Sequence, residues 1–178
     1  MWPPVTDSRL VLSDFDAQPE QFAPGVRWSG FTDRVMGGVS DATLVRSTVA
    51  GRRCIRLAGR VTRDRGGGFI QAALDLAPRG GVLDGSAWRG IELDLYGNDE
   101  DYNVHLRTPD CRWYDHSYRH TVHAAREWRR IRIPWDGFAP NGLDTPLATA
   151  RLQRVALLGW MRDFEADVAL SAIALYTT

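Results

Sequence analysis

The amino-acid sequence predicts an all-β fold, a sandwich or a barrel, and three observations lead to it. Short stretches in which apolar and polar residues alternate recur along the chain, as in half-buried strands. Gly, Pro, Asn and Asp separate these stretches, as turn residues do. Almost no stretch has the period of a helix, and only residues 18–22 and 83–88 could form a helical turn. Many short strands with frequent turns are typical of sandwiches and barrels.

The alternation defines the predicted strands one by one. They span residues 10–15, 26–30, 42–47, 53–58, 69–76, 91–96, 102–107, 113–123, 128–133, 154–160 and 168–176. The last strand breaks its own register. Val168 and Leu170 share one face, whereas Ile173 and Leu175 continue the apolar set one residue out of phase. A β-bulge at residues 171–172 would keep both pairs in the core.

Size and composition predict a single folded domain with no affinity for polyanions. At 178 residues the chain is long enough for one well-buried core and short for two, so one domain over residues 1–178 is expected. The formal net charge is zero, which argues against nucleic acid as a partner, because nucleic-acid binding selects a basic excess. No stretch approaches the roughly 20 apolar residues of a membrane span, so membrane insertion is not expected.

The N-terminus and the cysteines predict a cytoplasmic protein. Residues 1–7 (MWPPVTD) lack the basic and apolar regions of a signal peptide. Cys54 and Cys111 lie far apart in unrelated contexts. Without a secretion signal, reduced thiols are expected in place of a disulfide.

Motifs of catalysis and cofactor binding are not recognisable in the sequence. The glycine-rich residues 65–69 (RGGGF) lack the Lys-Ser/Thr pair of a phosphate loop and precede a strand. We interpret these glycines as allowing a close backbone approach or a bulge. Residues 38–41 (GVSD) lack the second glycine of a nucleophile elbow. We therefore predict no catalytic residue and no cofactor, and expect a protein that is not an enzyme.

Three histidines are the best candidates for a metal site. His116, His120 and His123 have a spacing that would align them on a helix, where they could bind zinc. Their segment is rich in β-formers, however, and on a strand His123 would face away from the other two. We expect no metal here and interpret them as sheet histidines with hydrogen-bond partners. Acidic residues 99–101 (DED) could hold calcium, but a solvated hairpin tip is the preferred interpretation.

One face of a predicted sheet is the candidate binding surface. Asn103, His105 and Arg107 alternate with apolar residues, so they share the face of their strand that points away from the core. The next strand is expected to lie beside them. It contributes four further candidates, Trp113, Tyr114, Arg119 and Thr121. Planar donors among aromatic rings can bind a sugar, a peptide or a protein surface; a merely solvated face is the alternative that spacing leaves open.

Residues 32–40 (TDRVMGGVS), which follow Trp28, carry a resemblance to a known family. They are similar to the Asn-Asp-x-Val-Met-Gly-Gly-x-Ser signature of the NADH:ubiquinone oxidoreductase complex I intermediate-associated protein family. The resemblance continues in order through residues 66–69 (GGGF), a central hairpin at 90–108 and residues 133–138 (IPWDGF). Thr32 departs from the signature, because the family has Asn there.

This resemblance implies a galactose-binding-domain-like jelly-roll sandwich, in agreement with the strand pattern. It implies no catalytic residues. For the mitochondrial member it implies chaperone-like contact with subunits of an assembling respiratory complex, and hence a protein partner. The leading hypothesis is a non-enzymatic, protein-binding assembly factor. The alternative is a lectin-like, carbohydrate-binding module that uses the same sheet face for a glycan, and an enzyme with a His-centred metal site ranks last.

Residues 32–40, which we call the signature loop, are interpreted as structural. The loop lies between two predicted strands, where Met36 would plug the end of the core. The glycines would supply backbone angles or a close approach that a side chain forbids. The residues given this structural role are Asp33, Met36, Gly37, Gly38 and Ser40.

Overall fold

A computed structural model describes residues 9–178 and shows two antiparallel β-sheets packed face to face. The strands are β1 (Arg9–Asp14), β2 (Gln21–Phe22), β3 (Arg27–Thr32), β4 (Asp41–Val49), β5 (Arg52–Val61), β6 (Phe69–Asp75), β7 (Gly90–Tyr96), β8 (Glu100–Arg107), β9 (Ser117–Ala124), β10 (Arg129–Pro134), β11 (Ala139–Asn141), β12 (Arg154–Trp160) and β13 (Phe164–Tyr176). Short 3₁₀ turns lie at Asp33–Met36, Asp64–Gly66, Pro78–Gly80 and Trp135–Gly137. Residues 1–7, on which the prediction of a cytoplasmic protein partly rests, lie outside the described residues.

The two sheets differ in their strand order. The seven-stranded sheet runs β10-β7-β13-β1-β2, while β5 pairs with the first half of β13 and β4 pairs with β5. The six-stranded sheet runs β11-β9-β8-β12-β6-β3. This architecture confirms the predicted all-β jelly-roll sandwich. Within residues 9–178, no helix has the length and apolar character needed to cross a membrane.

The core lies between the two sheets and is formed by the side chains on the apolar face of each strand. On β8, Tyr102, Val104 and Leu106 are fully buried. The pairing of β13 with β7 shifts between Leu170 and Ala172, which places the predicted bulge in the final strand. Apolar residues on both sides of this bulge therefore reach the core.

Some segments differ from the predictions for local reasons. Residues 18–22 form no helical turn, because Gln21–Phe22 pairs with β1 as a short strand. Residues 83–88 form no helix: Leu83 bridges Leu152, and a single turn follows in which the Trp88 amide donates to the Gly85 carbonyl at 3.0 Å. The strand predicted from residue 113 begins at Ser117, because residues 113–115 make a turn in which the His116 amide donates to the Trp113 carbonyl at 3.0 Å.

Candidate functional site

The outer face of the six-stranded sheet holds a groove of about 590 Å³, which we call the concave groove. Strand β12 runs along its floor and contributes Ala156, Leu158 and Trp160. The loops around it form the rim. Side chains from other elements that line it include Phe31, Val35, Met36, Phe69, His105, Tyr114, Arg119 and Met161.

Asp33 fixes the signature loop beside this groove. Its buried carboxylate accepts hydrogen bonds from the Ser40 amide at 2.9 Å, the Ser40 hydroxyl at 2.5 Å and the Gly68 amide at 2.6 Å. Burial acts to raise the pKa of Asp33, but these hydrogen bonds outweigh it and leave the pKa below its ordinary value. An ionised Asp33 therefore ties the signature loop to the glycine-rich residues 65–69.

The glycines around Asp33 leave room for its carboxylate. A Cβ at Gly38 would lie 2.5 Å from Asp33 Cγ, and a Cβ at Gly67 would lie 2.3 Å from Asp33 Oδ2. Gly37 ends the 3₁₀ turn with a φ of +87°, which favours glycine. These contacts agree with the structural role predicted for Asp33, Gly37, Gly38 and Ser40, and with the close approach predicted for the glycine-rich stretch.

The core-plug role predicted for Met36 is wrong. Met36 is 46% exposed and Val35 is 69% exposed, and both line the concave groove. The 3₁₀ turn at Asp33–Met36 therefore carries one buried side chain, Asp33, and two exposed apolar ones, Val35 and Met36. The buried position at this end of the sandwich belongs to the Asp33–Ser40 pair.

Strand β8 places the predicted polar residues on its outer face, opposite those of β9. His105 lies directly across from Arg119, and Asn103 lies across from Thr121. The groove includes His105 and Arg119, while Asn103 and Thr121 lie in the neighbouring row, outside its lining. The register predicted from alternation therefore holds, although only part of this row reaches the groove.

His105 is buried even though it faces away from the core. It is 7% exposed, because the Trp160 ring packs on it edge-on with a centroid distance of 4.9 Å. This burial, together with the charges of Arg119 and Arg107, lowers the pKa of His105 to about 3. The imidazole is therefore neutral at physiological pH, and the prediction of a solvent-facing His105 needs correction.

Arg107 organises the loop before β9. Its Nη1 donates to the carbonyls of Trp113 at 3.1 Å and His116 at 2.6 Å, and its Nη2 donates to that of Cys111 at 3.2 Å. Arg107, a predicted binding residue, lines the groove, and these three hydrogen bonds leave its Nε–H and one Nη2–H without a partner among them. Its Nη1 also lies 3.5 Å from the carbonyl of Tyr114, whose side chain is 80% exposed at the rim. Trp113 is 66% exposed but does not line the groove.

Sequence reasoning missed three aromatic side chains of the groove. Phe31, Phe69 and Trp160 project from three strands of the six-stranded sheet and pack on an outer apolar cluster with Leu158. A signal for them exists in residues 155–160 (VALLGW), which are apolar in both phases. A strand with two apolar phases is typical of burial on both faces.

The three histidines near β9 do not converge. His120 Nδ1 lies 2.8 Å from the Gly137 carbonyl, whereas His123 Nδ1 lies 2.8 Å from an Asp101 oxygen. His116 precedes the strand and accepts a hydrogen bond from the Arg112 amide at 3.2 Å. Within residues 9–178, no three His, Cys, Asp or Glu side chains are grouped in a way that could hold a metal ion.

Solved structures that share this sandwich fold include carbohydrate-binding modules. The family 11 module from Clostridium thermocellum, solved with a β-1,3-1,4-mixed-linked tetrasaccharide, has a TM-score of 0.69 at 13% identity over 96% of each chain. The family 30 module of a cellulosomal cellulase from the same organism scores 0.64 at 17% identity, over 94% of this chain and 98% of that one. A family 29 module complexed with mannohexaose scores 0.57 at 10% identity, over 95% and 91%. These likenesses establish the fold.

Within this fold class, the sequence identifies the family. The family model described as Complex I intermediate-associated protein 30 (CIA30) matches residues 14–165, and the chain belongs to this family. The match covers the signature loop and the strands of the concave groove, and it confirms the family resemblance. No curated protein matches the sequence.

Proposed function

We propose that the chain is a non-catalytic assembly-factor domain that holds an apolar segment of a protein partner in the concave groove. The observation that carries this proposal is the apolar rim. Val35, Met36 and Met161 are 69%, 46% and 47% exposed, and all three border the same groove. Exposed apolar side chains grouped around one groove support an interaction site in a folded protein.

The rim is held in place before a partner arrives. Asp33 anchors the loop that carries Val35 and Met36, and Arg107 anchors the loop that carries Tyr114. A preorganised contact surface loses less conformational entropy on binding than a mobile one. The anchoring therefore supports a binding role for the exposed side chains above it.

The floor of the groove suits an apolar segment. The rings of Phe31 and Phe69 lie 6.3 Å apart, and those of Phe69 and Trp160 lie 6.0 Å apart, so three rings follow one another across the sheet. Aromatic, Met and Arg side chains are enriched in protein interfaces. An apolar partner segment would bury these rings and the Met side chains at the rim.

The ionisable groups in the groove favour binding over catalysis. His105 is neutral because its pKa is about 3, so it cannot exchange a proton efficiently with a substrate near neutral pH. The remaining ionisable side chains that line the groove are Arg107, Tyr114, Asp115, Arg119 and Arg154. The family description, Complex I intermediate-associated protein, supports a subunit of a complex I assembly intermediate as the partner.

A glycan is the second candidate ligand. The exposed Tyr114 ring and the Trp160 ring border the groove together with the amides of Gln71 and Asn141, and sugars bind to rings flanked by polar groups. Two of the solved modules that share this fold were determined with oligosaccharides. This observation supports testing carbohydrate directly.

The test compares capture of partners by variants of the full chain. Immobilised wild-type chain, a Met36→Asp/Trp160→Ala double variant and an Arg60→Ala control are incubated with native lysate, and bound proteins are cross-linked and identified. Arg60 is an exposed residue of β5 on the other sheet. We expect the control to retain the wild-type partners and the groove variant to lose them. Identical capture by all three would refute a groove-bound protein.

Carbohydrate is tested with defined probes. Mixed-linkage β-glucan oligosaccharides and mannohexaose are titrated into wild-type chain and into Trp160→Ala by calorimetry. No heat above that of the control titration is expected. Saturable binding that Trp160→Ala abolishes would replace the protein partner with a glycan.

A further inference from the structure

Arg119 differs from the other arginines that line the concave groove. Arg154 pairs with Asp75 at 2.8 Å, and Arg107 donates to loop carbonyls. Arg119 donates only to neutral oxygens, the Ser117 hydroxyl at 2.8 Å and the Asp115 carbonyl at 3.3 Å. Within residues 9–178 it forms no ion pair with a carboxylate. The groove therefore contains a guanidinium charge that no contacting acid neutralises.

His105 adds an unpaired polar atom next to this charge. It is the cross-strand neighbour of Arg119, and more than nine-tenths of it is buried against the groove. Its Nε2 has no hydrogen-bond partner among the described residues. Buried polar groups normally have a partner. This unpaired ring nitrogen is a candidate partner for a polar ligand group, which reaches it when a side chain that covers the ring moves, since less than 1 Å² of the atom is exposed.

Trp160 connects the two side chains. Its ring centroid lies 4.7 Å from Arg119 Cζ and 4.9 Å from the His105 ring. The floor beside it is apolar, with Ala156 and Leu158. Apolar walls reduce the local dielectric response, so a hydrogen bond between Arg119 and an anion is stronger here than on an open surface.

We propose that Arg119 and His105 form a carboxylate subsite in the concave groove, so that the partner segment presents one carboxylate beside its apolar side chains. This inference rests on the proposed function and specifies the chemistry of the bound segment. The Arg119 guanidinium donates to the carboxylate, and the neutral His105 ring donates an N–H to the same group once a side chain that covers it, such as Trp160, shifts. A single unpaired arginine matches one negative charge, and the neighbouring Asp115 at the rim disfavours a dianion such as phosphate.

A random peptide library selected on the immobilised full chain supplies the probe. The best peptide is synthesised in three forms, unchanged, with each Asp and Glu replaced by the corresponding amide, and with an amidated C-terminus. The last two forms distinguish a side-chain carboxylate from a chain-terminal one. Dissociation constants are measured for wild-type chain, Arg119→Gln, Arg119→Lys, Met36→Asp and the control Arg60→Gln.

We expect one of the amide forms to bind wild-type chain roughly tenfold or more weakly, since hydrogen bonds to charged groups are stronger than neutral ones. Arg119→Gln should weaken binding of the unchanged peptide by a similar factor. It should also abolish the difference in affinity between the unchanged peptide and that amide form. Arg119→Lys should recover part of the loss, and Arg60→Gln should match wild type. The ¹⁵N resonance of His105 Nε2 should shift with the carboxylate peptide and not with its amide form.

The outcomes separate this inference from the proposed function. Peptides that lose binding to Met36→Asp but bind Arg119→Gln as well as wild type would leave the groove a binding site and overturn the carboxylate subsite. Peptides whose binding is unaffected by Met36→Asp would overturn both. The amide comparison uses wild-type chain alone, so amide forms that bind as tightly as the unchanged peptide would overturn the subsite even if Arg119→Gln fails to fold, and Arg119→Lys then tests the assignment to Arg119.

Discussion

Arginines stack on aromatic rings on both outer faces of the sandwich, and two of them, Arg132 and Arg119, differ in whether an acid completes the contact. On the seven-stranded sheet, Arg132 Cζ lies 4.8 Å from the Tyr176 ring, and Arg132 Nε lies 3.0 Å from the buried Glu92. On the six-stranded sheet, Arg119 stacks on Trp160 at 4.7 Å, but no carboxylate contacts it within the described residues. The first arginine is part of a completed network, and the second is available to a partner.

The completed network extends across the seven-stranded sheet. Strand β10 lies beside β7, so Arg132 faces Glu92 and Arg130 faces Asp94, with an Arg130 Nε to Asp94 distance of 2.8 Å. Arg9 also contacts Glu92. Cross-strand acid–base pairs of this kind fix register and satisfy buried charge. The comparison teaches that a neighbouring acid decides whether a stacked arginine is part of the internal structure or is available to a partner.

The largest expected effect on stability is that of a substitution at Asp33, which lies beneath the groove. Asp33→Asn keeps the shape of the side chain but removes its charge and turns an amide group toward the donors at Ser40 and Gly68. We expect a loss of about 3 kcal/mol in unfolding free energy, because buried charge-assisted hydrogen bonds are lost. Urea denaturation measures this loss. A variant as stable as wild type would show that the rim is not anchored through Asp33.

Glu92→Gln tests the arginine–carboxylate network on the seven-stranded sheet. It should lower the free energy of unfolding by less than Asp33→Asn does. Glu92 is fully buried, but Arg132 and Arg9 are partly exposed and can recover water contacts. We expect a loss of about 2 kcal/mol in unfolding free energy. Binding of a groove-selected peptide should stay unchanged, as measured by fluorescence anisotropy. Weakened peptide binding would contradict the separation of the two faces.

The pH dependence of stability provides a test of the buried ring. The pKa of His105 is about 3 in the folded chain and about 6.5 when unfolded. Between these values the unfolded chain binds more protons, so this contribution to stability is complete above pH 6.5 and is lost as the pH falls toward 3. The slope for one proton is about 1.4 kcal/mol per pH unit.

His105→Gln is the matched variant, since it cannot be protonated. Urea denaturation at several pH values between 7.5 and 4.5 should show a steeper decline for wild type, by up to about 1.4 kcal/mol per pH unit at the acidic end of this range. Parallel curves would mean that His105 is solvated and protonates freely. Asp33 adds nothing to this difference, because its carboxylate is present in both chains.

The fold and the outward register of β8 could be predicted from sequence because alternation reports which phase of a strand is apolar. Asn103 and Arg119 lie on the outer face for that reason. Alternation says nothing about what covers an outward residue. His105 is buried by Trp160, which lies on a strand far away in the chain. Only the pairing of β8 with β12 brings the two rings together.

The signature loop shows the same limit at shorter range. The glycines indicated a loop with special backbone angles or a close approach, and Ser40 was given a structural role. The contacts of Gly38 and Ser40 with Asp33 agree with that interpretation. Asp33 and Met36 lie in the same 3₁₀ turn, yet the structure buries Asp33 and exposes Met36, and the sequence pattern does not distinguish the two positions. The sequence therefore predicts Met36 in the core, whereas the structure shows it at the groove.

Met36→Asp is expected to have the smallest effect on stability and a large effect on binding. A side chain that is 46% exposed and beside Gly37 can carry a charge into water with little desolvation. We therefore expect a change of less than about 0.5 kcal/mol in unfolding free energy, as for ordinary surface substitutions. Val82→Asp is the matched control, because Val82 is 43% exposed and does not line the groove. Both variants should unfold at the wild-type urea concentration, and only Met36→Asp should lose the groove-selected peptide. If Met36→Asp unfolds several kcal/mol more easily than Val82→Asp, Met36 supports the core after all, and the apolar rim loses its role as the contact surface.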